Sequence, residues 1–287
     1  DKCPLCLWED TDGSLWIGTD GGGVNRFHPA THHFDHFPLT KNEKVVSVCP
    51  YSDSELLVSC FSKGLFLLNK SSGAFRPLRC PYPPIEQELN HSGFPVNLRQ
   101  GKDGRIEIYG KHIYHYHPAT GKWEDMAPVA PRVEQSWVCI GTYRSSPVFY
   151  DRKHVFLYHE DEHRYSLLTP SDGRQVPAAC MDHNGHLWTS TLTGIERTDL
   201  SSGRKENIGL PDGNHIVTSL VADCDGIIWM GCNGYLYAYD PVQQQFTLYS
   251  DMDGVLPNDF LPKCVGSTAD GNVYLGGSEG LVRIDKS

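Results

Sequence analysis

Apolar and polar residues alternate in short runs along the whole chain, and Gly, Asp, Asn and Pro separate the runs. A period of two over four to eight residues predicts half-buried β-strands. No segment sustains a 3.6-residue period, so helices are expected to be nearly absent.

The runs repeat. The turn glycine of "DGSLWIGT", Gly13, has counterparts at Ser54, Gly104, Ser145, Gly185, Gly226 and Gly271, at spacings of 41, 50, 41, 40, 41 and 45 residues. Three positions after each anchor stand Trp16, Leu57, Glu107, Val148, Trp188, Trp229 and Tyr274. A further apolar run then begins at Val24, Leu65, Ile113, Val155, Ile195, Tyr235 and Leu281. Each copy reads as four strands, with a tight D-G or N-G hairpin in most copies between the first and second. Four-stranded units at this period predict an all-β, seven-bladed β-propeller of antiparallel blades. The blades fall at about 1–40, 41–80, 81–130, 131–170, 171–210, 211–250 and 251–287, leaving no second domain.

The repeat disposes of one chemical reading. Gly13 and Gly21 to Gly23 resemble a phosphate cradle, but no helix or Lys-Ser/Thr pair follows them, so they are expected to shape turns. The aspartates of the D-x-D-G turns, Asp10, Asp12, Asp223 and Asp225, are expected to cap those turns instead of holding calcium. Trp16, Trp188 and Trp229 are expected to pack between blades. The last unit stops on its third strand, so its outer strand is expected upstream, in a longer parent chain.

A net charge of -10 argues against a nucleic-acid partner, and no apolar run reaches the roughly 18 residues of a membrane span. Cys6, Cys49, Cys139, Cys180 and Cys264 precede their anchors on the innermost strands, where small side chains fit; packing is expected for them, not disulfides. The histidines in "THHFDHF" and "HIYHYH" lack the carboxylate or thiolate that would complete a metal site, and no cofactor is expected.

The string "EDTDGSLWIGTDGGGVNRFHPATHHF" closely resembles the two-component regulator propeller repeat, and "MDHNGHLWTSTLTGIERTD" and "ADCDGIIWMGCNGYLYAYDP" match it more loosely. Glu107 departs from the repeat's tryptophan, and the fourth unit lacks the D-G step. The resemblance implies the periplasmic, ligand-sensing propeller of a Bacteroidetes-type hybrid two-component system, which detects oligosaccharides and regulates polysaccharide-use genes. It also implies an adjacent propeller, an Ig-like domain and a histidine kinase elsewhere in the parent chain, and a homodimeric parent. The domain itself is expected not to be an enzyme. The alternatives are a propeller lyase or hydrolase acting on a sugar or antibiotic, and a structural spacer with ligand held at a domain junction.

In a propeller the segments leading into the innermost strands share one face with the loops joining second to third strands, and that face is the default pocket. The ligand-binding candidates there are Trp137 as a stacking platform, with Arg174, Asn258 and His215 beside it, and Arg152, Lys63 and Asn97. Arg152, Arg174 and Lys63 suit a carboxylate or sulfate on an acidic glycan.

Overall fold

The computed structural model describes residues 3–39, 43–91, 95–101, 103–110, 112–126, 137–159, 161–169, 175–213, 215–256 and 258–285. Seven antiparallel sheets follow one another, six of four strands and the last of three, each in plain sequence order. They are the blades of the β-propeller expected from the repeat.

By internal contacts the chain divides into two compact units, residues 2–138 with 163–165, and 139–162 with 166–287. The first unit holds three sheets. They comprise β1 to β4 (Pro4–Glu9, Leu15–Thr19, Val24–His28, His33–Phe37), β5 to β8 (Val45–Pro50, Glu55–Cys60, Gly64–Asn69, Phe75–Leu78) and β9 to β12 (Asn97–Gln100, Ile106–Tyr109, Ile113–His117, Lys122–Asp125). The second unit carries β13 to β16 (Val138–Tyr143, Ser146–Tyr150, Val155–His159, Arg164–Leu167), apart from Val138, Arg164 and Tyr165, which fall in the first unit, and β17 to β20 (Ala179–Met181, His186–Ser190, Gly194–Asp199, Lys205–Gly209). It continues with β21 to β24 (Val217–Ala222, Ile228–Cys232, Tyr235–Asp240, Gln245–Tyr249) and β25 to β27 (Phe260–Ser267, Val273–Gly277, Gly280–Ile284).

The second strands are buried along all or all but the first of their residues, as in β2, β22 and β6. In the outermost strands polar side chains alternate with half-buried ones, as in β24. Each blade is thus apolar at its centre and polar at its rim, the pattern that lets a small sheet bury both faces against neighbours.

The repeated Asp and Trp work together. In blade 6 the Asp223 carboxylate accepts the main-chain N–H groups of Asp225 and Ile227 through Oδ1, and the indole N–H of Trp229 through Oδ2 at 2.8 Å. Asp182 does the same in blade 5, with Asn184, His186 and Trp188. Asp10 binds Trp16 in blade 1 and adds a 2.8 Å ion pair to Lys70. One carboxylate therefore closes the turn and satisfies an indole that would otherwise be buried unpaired.

Blade 3 solves the same problem with reversed charge. Gly101 stands where blades 1, 5 and 6 have Asp, and Glu107 stands where those blades have Trp. Fully buried, Glu107 accepts from Arg99 at 2.6 Å, Arg105 at 2.9 Å and the Tyr109 hydroxyl at 2.5 Å. A buried carboxylate is tolerable only when so fully paired.

Two departures from the strand pattern explain the long spacings. The nine-residue helix α1 (Pro83–His91) lies between β8 and β9, in the 50-residue interval. Its Glu86 accepts the Cys80 amide and pairs with Arg79, and Leu89 is buried. Its Glu88 accepts from the His112 amide and the Tyr114 hydroxyl, docking the helix on blade 3. A 3-10 turn at Asp251–Asp253 occupies the 45-residue interval. Nine residues are too few to reveal helical periodicity within a strand-rich sequence.

Strand register corrects one sequence assignment. The fifth residue after each anchor pairs with Val24, Leu65, Ile113, Val155, Ile195 and Leu281, and in blade 6 with Leu236, not Tyr235. With Leu236 in register, blade 6 has the same ten-residue spacing from anchor to pairing position as blades 4, 5 and 7, and Tyr235 stands one place toward the loop. There it takes the position of Gly23, Gly64, Gly194 and Gly280. All ten cysteines are free thiols, most of them buried.

Candidate functional site

Within each unit, main-chain hydrogen bonds tie loops to the segments that lead into neighbouring blades. In the first unit Gly21 donates to Glu43, and Asp20 bridges to Lys44, reinforced by a 2.8 Å ion pair. In the second unit Val176 donates to Arg152 and Gly234 donates to Asn258. Each time, a loop between second and third strands is tied to the segment leading into the next blade. A loop so tied can hold a side chain in place for a ligand.

The residues singled out from the sequence fall into distinct roles. Trp137 is 1% exposed, with its ring edge-on to Tyr165 at 5.3 Å, and its carbonyl accepts the Asn97 amide at 2.5 Å. A ring so enclosed presents no free face, so here Trp137 and the buried Asn97 serve packing. Asn258 is buried too: its Oδ1 accepts the Glu279 amide at 3.0 Å, holding the β26–β27 turn. Lys63 is exposed on the turn after Cys60. Arg174 lies outside the described residues.

Arg152 is exposed on a left-handed backbone, φ 73°. The Tyr150 hydroxyl beneath it lies 2.6 Å from the carbonyls of Val176 and Pro177. Lys263 lies in β25, between Phe260 and Val265, where the pairing register breaks; such bulges re-aim side chains. Burial, and then the Arg152 charge, push the Lys263 ammonium down to about 8.

His215 belongs to a second group, which includes residues the sequence did not single out. Its Nε2 lies 3.1 Å from Asp212 Oδ2, and its ring packs on Tyr235 with centroids 4.7 Å apart. The Tyr237 hydroxyl donates to the same Asp212 oxygen at 2.6 Å. Burial and this carboxylate hold the Tyr237 phenol well above its ordinary range. Tyr235 remains 38% exposed. It borders a cavity of about 290 Å³, together with Gly234, Ser250, Asp251 and Val255. The available signal for Tyr235 was an aromatic side chain directly after an N-G turn, where four other blades carry glycine.

Two further hollows lie by the turns that follow the first and third strands. One, of about 780 Å³, is lined by Asp10, Asp12, Arg26 and Lys70 among others, and the other, of about 540 Å³, by Tyr143, Arg144 and Asp182 among others. Asp10, Asp12 and Asp182 there are committed to turn hydrogen bonds.

No family model and no curated protein sequence matches the chain. Solved structures do. One is an extracellular domain, described as that of the hybrid two-component system BT4673 from B. thetaiotaomicron, at TM-score 0.74 and 13% identity over 98% of this chain. The corresponding domain of BT3049 from the same organism aligns at TM-score 0.73 and 17% identity over the whole chain. The chain spans 38% and 40% of the length of those two domains. Virginiamycin B lyase from Staphylococcus aureus, with quinupristin, aligns at TM-score 0.74 and 13% identity over 99% of this chain and 94% of the lyase. The shared feature is the fold: a β-propeller found in extracellular domains of two-component systems in one setting and in a lyase in another.

Proposed function

We propose that the chain is the ligand-sensing propeller of an extracytoplasmic sensor in a hybrid two-component system, and that its ligand is an oligosaccharide. The observation that carries this reading is the His215–Asp212–Tyr235 group. It puts an exposed aromatic ring, an imidazole and a carboxylate within contact of one another. Sugars need such a surface, with an apolar face for their C–H groups and planar polar groups for their hydroxyls. Support also comes from the fold shared with extracellular domains of two-component systems, and from the repeat in the first blade. In this reading the domain is periplasmic and sits in its parent chain beside a second propeller and an Ig-like domain, within a homodimer. Calorimetric screening of the chain against depolymerised polysaccharides tests it; saturable binding without turnover is expected, and no binding to any polysaccharide fragment would contradict it.

One observation favours a second reading, a lyase. Asp212 orients His215 as a general base would require, and a lyase shares the fold. Consumption of a bound sugar or antibiotic in the same screen, abolished by His215→Ala, would select it.

A further inference from the structure

The residue preceding the third-strand pairing position differs among the blades: glycine in four of them, His112 and His154 in blades 3 and 4, and Tyr235 in blade 6. At Gly23 a Cβ would lie 2.4 Å from the Phe37 carbonyl oxygen, and at Gly194 2.2 Å from that of Ile208. In those blades the end of the fourth strand covers the position, and only glycine fits. At Gly64 the helix residue Asn90 covers it in the same way. Blade 6 places a full tyrosine there instead. Its chain leaves the fourth strand at Tyr249, turns through Asp251–Asp253, and returns at Val255, so the space that the fourth strand fills at Gly23 and Gly194 is here a cavity beside Tyr235.

We infer that this cavity is a binding site for the terminal ring of a neutral oligosaccharide, with Tyr235 as the stacking platform. The inference rests on the ligand-sensing reading above and specifies its site and ligand class. His215 packs against the Tyr235 ring and steadies it, while Asp212 steadies His215. Gly234 is fixed by its hydrogen bond to the Asn258 carbonyl, which sets the position of the whole turn. Ser250 and Asp251 supply a hydroxyl and a carboxylate to the wall, and a carboxylate accepts hydrogen bonds from sugar hydroxyls. The volume, about 290 Å³, lies at the lower end of ligand sites (roughly 300–1,000 Å³), which suits one ring and not an extended chain. Charge selects the class. Asp251 is the charged residue among the described lining, and Asp212 stands behind His215, so a uronate or sulfate ring would meet repulsion. Anionic groups belong instead with Arg152.

The test is calorimetry of the 287-residue chain with two sets of probes. The neutral set is gluco-, manno-, xylo- and arabino-oligosaccharides; the acidic set is oligogalacturonides and sulfated chondroitin disaccharides. A neutral probe is expected to bind, with affinity falling about tenfold or more in Tyr235→Ala and staying within about twofold in Tyr235→Phe. Unchanged melting of both Tyr235 variants would show that the loss is local. Neutral binding that survives Tyr235→Ala would overturn the site and leave the sensing reading intact. Binding of acidic probes alone, lost in Arg152→Ala, would overturn both the site and the ligand class. Silence from every probe in both sets would overturn the oligosaccharide reading itself.

Discussion

The indole nitrogen of Trp229 and the Asp223 carboxylate lie 2.8 Å apart inside blade 6, and the same pair recurs as Trp188–Asp182 and Trp16–Asp10. The repeat's most visible sequence feature is thus one hydrogen-bonded unit that joins a turn to a core. Asp223→Ala and Trp229→Phe are each expected to destabilise by about 1–3 kcal/mol, because either leaves a buried partner unpaired. A double-mutant cycle by urea unfolding should return a coupling energy of about 0.5–3 kcal/mol. Additive losses would mean that the two residues pack independently.

Glu107 should behave differently. Glu107→Gln leaves Arg99 and Arg105 without their shared counter-charge in a buried place, and a loss of about 3–5 kcal/mol is expected by urea unfolding. A loss below about 1 kcal/mol would show that water reaches the guanidinium groups.

Steric closure at the glycine position is testable alone. Gly194→Ala sets a Cβ against the Ile208 carbonyl and its backbone neighbours, which cannot swing away. A cost of about 1–3 kcal/mol is expected, read from the melting temperature. A neutral result would mean that the fourth strand yields, weakening the contrast on which the Tyr235 cavity depends.

Lys263 predicts a pH dependence. Its ammonium titrates near 8 in the folded chain, against an ordinary value of 10.5. Between those values the unfolded chain binds the extra proton, so this residue makes stability rise with pH from about 8 toward 10.5 and costs stability below 8. The increment should disappear in Lys263→Met when urea unfolding of the two proteins is compared across that range. Identical slopes would place Lys263 in water.

The thiols give an independent check on packing. Cys224 is exposed, whereas Cys6, Cys49, Cys180 and Cys264 are buried; burial pushes the Cys6 thiol up to about 12, far from the reactive thiolate. A thiol reagent should label Cys224 fast in the folded protein. Without reductant it should find all ten cysteines after denaturation, and a shortfall in pairs would reveal disulfides.

The blade count was legible in the sequence because turn glycines and the Asp–Trp spacing recur with the repeat. Strand pairing then followed from period-2 alternation. Helix α1 was hidden, being a single short insertion with one buried side chain, Leu89. Of the proposed site, only part was visible in the sequence. His215 emerged from its loop position, but Trp137 looked like a platform because sequence gives residue type and not burial. Tyr235 was misread through a one-residue error in aligning its turn, and only strand register exposes that. Asp212 and Asp251 carry no motif; their role comes from the shape of the chain around them.

Hydrogen–deuterium exchange with and without a bound neutral oligosaccharide tests the central claim most directly. Protection is expected at Gly234 and Tyr235, around His215, and from Ser250 to Leu256, with no change in the turns after Asp10, Asp182 and Asp223. Protection confined to those three turns, with the Tyr235 segment unchanged, would contradict it.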